Sequence, residues 1–158
     1  MKIDEDGSRH PTLTDNGIFG FFDDYRYLSN YHLCRVKIGD ITYGSSEAAY
    51  MAEKCPARKT EFHSLSPSEA KKLGQKVPLR SDWEYYRVIA MMKVLYAKFD
   101  QNKELGCLLK VTGNKYLEET NNWGDKFWGV SVVHRDNYIA LDGQNILGRC
   151  LMAVREMI

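Results

Sequence analysis

Glu47 and Lys54 stand seven residues apart in a segment whose apolar residues, Ala48, Ala49, Met51, Ala52 and Cys55, recur at helical spacing. Seven residues are nearly two turns at about 3.6 residues per turn. A helix there sends both side chains from one face, about 10 Å apart along the axis. Met51 lies between them, with Tyr50 beside it. A carboxylate and an ammonium so placed can bracket a ribose. Each also has a plainer reading: an acid in a first helical turn complements the macrodipole, and a lysine near a helix end is ordinarily solvated.

The second concentration of chemistry is Asn121-Asn122-Trp123-Gly124-Asp125-Lys126-Phe127-Trp128-Gly129, where two Trp-Gly pairs flank an acid. Indoles stack on bases and sugars, and glycine lets backbone approach a ligand. A loop tryptophan can equally plug a core, and Trp83 carries the same two readings. Gly143-Gln144-Asn145 precedes the last predicted helix; it can offer backbone N–H groups to an anion, or Asn145 can serve as a helix cap. The Gly-rich phosphate fingerprints and the G-x-S-x-G nucleophile elbow are absent. Histidines 10, 32, 63 and 134 show no ligand spacing, so no metal site is expected. Cysteines 34, 55, 107 and 150 form no C-x-x-C pair and read as reduced thiols.

The elements that must position these groups follow from local signals. Residues 1–17 are polar at the start, carry Pro11 and read as a mobile arm; residues 18–158 read as one domain. Val36, Ile38 and Ile41 around Gly39-Asp40 predict a hairpin over about 34–43. Ser45 or Ser46 can cap the helix that carries Glu47, and Pro56 ends it. Ser66-Pro67-Ser68-Glu69 and Ser81-Asp82-Trp83-Glu84 have the form of capping boxes. The second opens the longest helix, to about Phe99, with Tyr85, Ile89, Met92 and Tyr96 at helical spacing and Val88, Leu95 and Phe99 beside them. A helix over about 102–111 stops at Gly113, residues 120–144 read as a long irregular stretch, and a last helix covers about 145–157. The expected class is α+β: a predominantly helical single domain with a small antiparallel β element near the N-terminus.

At 158 residues the chain can bury a real core, and 44% of it is hydrophobic. A net charge of +1 argues against an extended grip on a nucleic-acid backbone. Arg58-Lys59 and Lys71-Lys72 read as solvated helix faces. No apolar run approaches the roughly 18 residues of a membrane span and no signal peptide is evident, so a cytoplasmic protein is expected. Oligomeric state is not encoded in any of these signals.

The order of several blocks resembles the NADAR superfamily of YbiA-like N-glycosidases. The blocks are Tyr27-Leu28-Ser29-Asn30-Tyr31, Ile41-Thr42-Tyr43-Gly44-Ser45-Ser46-Glu47, Ala52-Glu53-Lys54, Ala70-Lys71-Lys72-Leu73-Gly74 and Arg80-Ser81-Asp82-Trp83. They continue through Lys98-Phe99-Asp100-Gln101-Asn102, Thr112-Gly113, Leu117-Glu118-Glu119, the Trp-Gly-Asp-Lys-Phe-Trp-Gly segment, Asn145-Ile146-Leu147-Gly148 and Leu151-Met152. The resemblance runs from about Phe21 to the C-terminus.

It implies hydrolysis of an N-glycosidic bond on an ADP-ribose-type substrate, either a small molecule or one linked to nucleic acid. Glu47, Lys54 and Asp125 are the implied catalytic residues and Trp83 and Trp128 implied substrate-binding ones; Asn30, Gly129 and Asn145 are expected as further substrate contacts, and no cofactor is expected. Removal of ADP-ribose from guanine is the expected reaction, on the form of the Trp-Gly-Asp segment. Cleavage of phosphoribosylated riboflavin intermediates and non-catalytic binding of ADP-ribose or NAD are the alternatives. Where the family often has His or a similar residue, an aromatic and Gln after its Glu, this chain has Ala48, Ala49, Tyr50 and Met51.

Overall fold

The structure, a computed structural model, describes residues 1–5, 7–135 and 138–158. Its order is β1 (Lys2–Ile3), β2 (Arg9–His10), β3 (Thr12–Leu13), β4 (Gly17–Phe19), a 3-10 helix (Asp23–Leu28), β5 (Leu33–Ile38), β6 (Ile41–Ser45) and α1 (Ser46–Glu53). A second 3-10 helix (Pro56–Phe62) leads to α2 (Pro67–Gly74), α3 (Trp83–Gln101) and α4 (Lys103–Val111). Then come β7 (Tyr116–Glu118), β8 (Thr120–Asn121), β9 (Val130–Arg135), β10 (Tyr138–Asp142) and α5 (Ile146–Met157). The class is α+β, as the sequence predicts. The chain divides into two compact units: Met1–Ser29 with Thr112–Ala153, and Asn30–Val111 with Val154–Ile158.

In the unit centred on Asn30–Val111, β5 and β6 form the predicted hairpin. Ile38 pairs with Ile41, and Gly39 has φ of 58°. That positive φ at the first turn residue is what a two-residue hairpin turn asks of glycine. Ser45 caps α1, its Oγ accepting from the Ala48 N–H at 3.1 Å. Ala48, Ala49 and Ala52 are buried, so neighbouring helices pack close to α1. Ser66 and Glu69 form the predicted capping box on α2. Gly74 closes against α1, where a Cβ would run into the Met51 sulfur.

One expectation fails on α3. Its N-cap is Asp82 rather than Ser81, and the Asp82 side chain makes no cap bond, because Arg80 takes both carboxylate oxygens at 2.5 and 3.0 Å. The apolar residues at helical spacing divide between the two sides of the helix. Tyr85 is 88% exposed, with Ile89 and Tyr96 exposed as well, while Ala90, Met91, Val94, Leu95, Lys98 and Phe99 turn inward. Apolar residues on several sides of this helix make its period ambiguous, and the side that packs on β5 and α1 wins.

The other unit holds the remaining sheets. The first sixteen residues, read as an arm, carry strands: β1 pairs with β2, and β3 with β4, both antiparallel. β4 lies parallel to β7. The stretch 120–144, read as irregular, is also largely strand. β8 runs parallel to β9, and β9 pairs with β10 from Ser131↔Asp142 to Arg135↔Tyr138. Val130, Val132 and Val133 favour strand locally, but the parallel partner Thr120–Asn121 is nine residues away and cannot be read from a local period. Asp136 and Asn137 in that stretch, and Asp6 in the arm, lie outside the described residues. Leu147, Cys150 and Leu151 on α5 are buried, as is Leu117 on β7.

Candidate active site

Glu47 occupies the first turn of α1 and is only 6% exposed. At the start of α1 the Asn30 carbonyl accepts from the Glu47 N–H at 3.0 Å and from Ser46 Oγ at 3.4 Å. Burying a carboxylate is costly, and a helix N-terminus is one of the few settings that offsets the cost. Asn30 itself is 8% exposed. Its Nδ2 donates to Met91 Sδ at 3.4 Å, and its Oδ1 is buried with no hydrogen-bond partner among the described residues. An orphaned buried acceptor of this kind suits a ligand hydroxyl.

Lys54 sits at the C-cap of α1, half-buried. Its Nζ donates to the Gly74 carbonyl at 3.4 Å and lies 5.8 Å from the centroid of the Trp83 ring. Burial holds its pKa below the ordinary lysine value; the Glu47 carboxylate opposes that shift and the Lys71 charge adds to it. Trp83 is buried, its ring 5.4 Å from that of Tyr50 and tilted by 47°. The unusual residues after Glu47 therefore have packing roles, with Ala48 and Ala49 in the core and Tyr50 beneath the indole. The C-terminal end of α1 is tied down by Glu53, which accepts from Tyr86 Oη at 3.0 Å and Lys93 Nζ at 2.8 Å. Thus Asn30, Glu47, Lys54 and Trp83 come together in one unit.

Asp125, Trp128, Gly129 and Asn145 come together in the other. Asn121 anchors the loop, its Oδ1 accepting from the Asp125 N–H at 3.0 Å and its Nδ2 donating to the Asp125 carbonyl at 2.7 Å. Asp125 Oδ1 then accepts from the N–H groups of Phe127 and Trp128 at 3.1 and 2.9 Å. Among the described residues Oδ2 has no hydrogen-bond partner, and it remains available to a substrate. Trp128 is half-buried, with Phe127 edge-on at 4.9 Å. Trp123 is 49% exposed, with the Arg9 guanidinium 5.4 Å from its ring.

Gly143-Gln144-Asn145 does not offer its N–H groups to an anion. Those of Gln144, Asn145, Ile146 and Leu147 donate to the carbonyls of Lys126, Gly129, Phe127 and Trp128. The head of α5 therefore holds the tryptophan loop. Asn145 has φ of 51°, and its side chain reaches strand backbone instead of capping the helix. Its Oδ1 accepts from the Glu119 N–H at 3.1 Å, while Nδ2 donates to the Leu117 carbonyl at 2.8 Å and Tyr116 Oη at 2.9 Å. Gly129 is explained by close packing, since a Cβ there would run into the Glu119 carbonyl. Sequence reasoning missed Asn121; its signal was an amide side chain four residues before an acid in a turn-rich segment.

A buried carboxylate on a helix start, with an ammonium, an indole and an unsatisfied amide acceptor around it, can stabilise developing positive charge and receive a ligand hydroxyl. The profile of the NADAR domain matches residues 14–158, and the chain belongs to the NADAR family. It is 34% identical over 142 residues to N-glycosidase YbiA of Escherichia coli, covering 86% of this chain and 83% of YbiA. A riboflavin biosynthesis protein of Vibrio vulnificus is 31% identical over 139 residues, covering 85% of this chain and 36% of that protein. The NMR structure of Escherichia coli YbiA superposes with a TM-score of 0.75 at 31% identity, covering 92% of this chain and 86% of that one. The protein is an enzyme, a hydrolase of N-glycosyl bonds. Among the described residues no helix is long and apolar enough to cross a membrane.

Proposed function

We propose that the protein removes ADP-ribose from guanine bases by hydrolysing the bond between the anomeric carbon and the base nitrogen. The observation that carries this reading is the Trp-Gly-Asp-Lys-Phe-Trp-Gly loop, whose form resembles that of ADP-ribose-removing members. Cleavage builds positive charge at the anomeric carbon while the leaving nitrogen takes up a proton. Glu47 stabilises that charge and orients the attacking water. Asn30 Oδ1 accepts from a ribose hydroxyl. Trp83 and Trp128 supply apolar walls, and Asp125 Oδ2 binds the ribose or helps protonate the base. Gly129 and Asn145 serve the substrate indirectly, by holding the loop that carries Asp125 and Trp128.

Lys54 interacts with the substrate's hydroxyl or phosphate oxygens. A covalent role has its own support, since an amine with a lowered pKa is a better nucleophile, able to form a Schiff base with a ring-opened ribose. Borohydride trapping separates the two: a covalent step leaves a stable sugar adduct on Lys54. A second substrate reading, phosphoribosylated riboflavin intermediates, is favoured by the name of the Vibrio relative. Chromatography of base release from both substrates decides: faster turnover of ADP-ribosyl-guanine supports the proposal, and turnover of the phosphoribosyl amine alone overturns it.

A further inference from the structure

Lys71 read from sequence as a solvated lysine, yet its setting is specific. It lies three residues before Gly74, so both fall on the side of α2 that packs against α1. Gly74 is also the residue whose carbonyl receives Lys54 Nζ. On the other side, Lys71 Nζ stands 5.8 Å from the ring centroid of Tyr31, the neighbour of Asn30. Lys71 is exposed and, among the described residues, forms no salt bridge. The chain thus sets two ammonium groups near one another without giving Lys71 a carboxylate. They are close enough for the Lys71 charge to disfavour protonation of Lys54. An uncompensated cation held beside a second one is an anion site in waiting.

We infer that Lys71, held against Tyr31 on the α1-facing side of α2, receives the phosphate carried by the substrate's ribose, leaving Lys54 to the sugar. This rests on the reading of a phosphorylated ribose as substrate, and it holds for either substrate named above. Lys71 then determines preference for phosphorylated over plain sugars.

The test is an NMR titration of wild type, Lys71→Gln, Lys71→Arg and Lys72→Gln with ribose, ribose 5-phosphate and ADP-ribose. Lys71→Gln should weaken ribose 5-phosphate binding about 10-fold, the loss of one charge-assisted contact. It should leave ribose binding unchanged, and Lys71→Arg should restore most of the loss. Lys72→Gln removes the same net charge one residue away and should bind as wild type. A parallel loss for ADP-ribose assigns the contact to a diphosphate; a loss confined to ribose 5-phosphate assigns it to a terminal monophosphate. Equal losses for ribose and ribose 5-phosphate, no loss, or the same loss in Lys72→Gln would overturn the inference. Wild type that binds neither phosphorylated sugar would instead overturn the substrate reading beneath it.

Discussion

The two regions that carry chemistry are built on opposite plans. On α1 the ends of the helix are secured by groups other than the Glu47 carboxylate. Ser45 caps the helix, the Asn30 carbonyl takes the Glu47 N–H, and Glu53 secures the far end. In the loop 121–129 the chemical residues are themselves the scaffold: Asp125 Oδ1 holds two backbone N–H groups, and the carbonyls of Phe127, Trp128 and Gly129 bind the head of α5. The comparison teaches that a reactive group can be substituted cleanly where a helix positions it. Where it positions itself, function and stability fall together.

Gly129→Ala attacks the loop's plan hardest, because the added carbon meets the Glu119 backbone carbonyl, which has little room to yield. A loss of about 3 kcal/mol in urea unfolding is expected, at the upper end of overpacking costs. Asn145→Ala follows, at about 2–3 kcal/mol, since it strands the Leu117 carbonyl and the Glu119 N–H. A near-neutral result for either would remove the claim that α5 and β7 brace the loop. Asp125→Ala should cost about 1–2 kcal/mol through the lost Phe127 and Trp128 acceptor, together with activity. Intact stability with lost activity would make Asp125 resemble Glu47 and dissolve the contrast.

Much of the α1 region was legible because its signals are local. Ser45 before an apolar run, Gly39-Asp40 between β-branched residues and Ser66 with Glu69 each act within a few positions. The loop's supports were illegible because they are distant in sequence: Asn145 bonds Leu117 and Glu119, and β8 pairs across to β9. Which side of α3 is buried was illegible for another reason. Tyr85, Ile89 and Tyr96 are apolar at the right spacing, but Ala90, Met91 and Val94 are too, and only packing on β5 and α1 selects between them. Lys71 beside Lys72 gave no sign of its distinct setting, because Tyr31 is forty residues away.

A smaller effect sharpens the α1 side. Burial keeps the folded-state pKa of Lys54 below the ordinary lysine value, so its charged form slightly destabilises the fold. Above the lowered folded value the native state releases its proton while the unfolded state retains it, and stability rises with pH until the ordinary value near about 10.4 is passed. Lys54→Met should therefore melt slightly higher than wild type at neutral pH, with the gap closing as pH rises through that window. A gap that widens with pH would reverse the sign assigned here.

The most direct test of the central claim is Glu47→Gln, with turnover and thermal midpoint measured on the same preparation. An unchanged midpoint is expected, within about 0.5 kcal/mol of wild-type stability, because glutamine keeps the shape of the side chain while Ser45 and the Asn30 carbonyl hold the helix start. Base release should fall by about 100-fold or more, as expected when a charge-stabilising group at the reacting carbon is neutralised. Wild-type turnover in that variant, or a loss of activity that tracks a loss of folded protein, would contradict it.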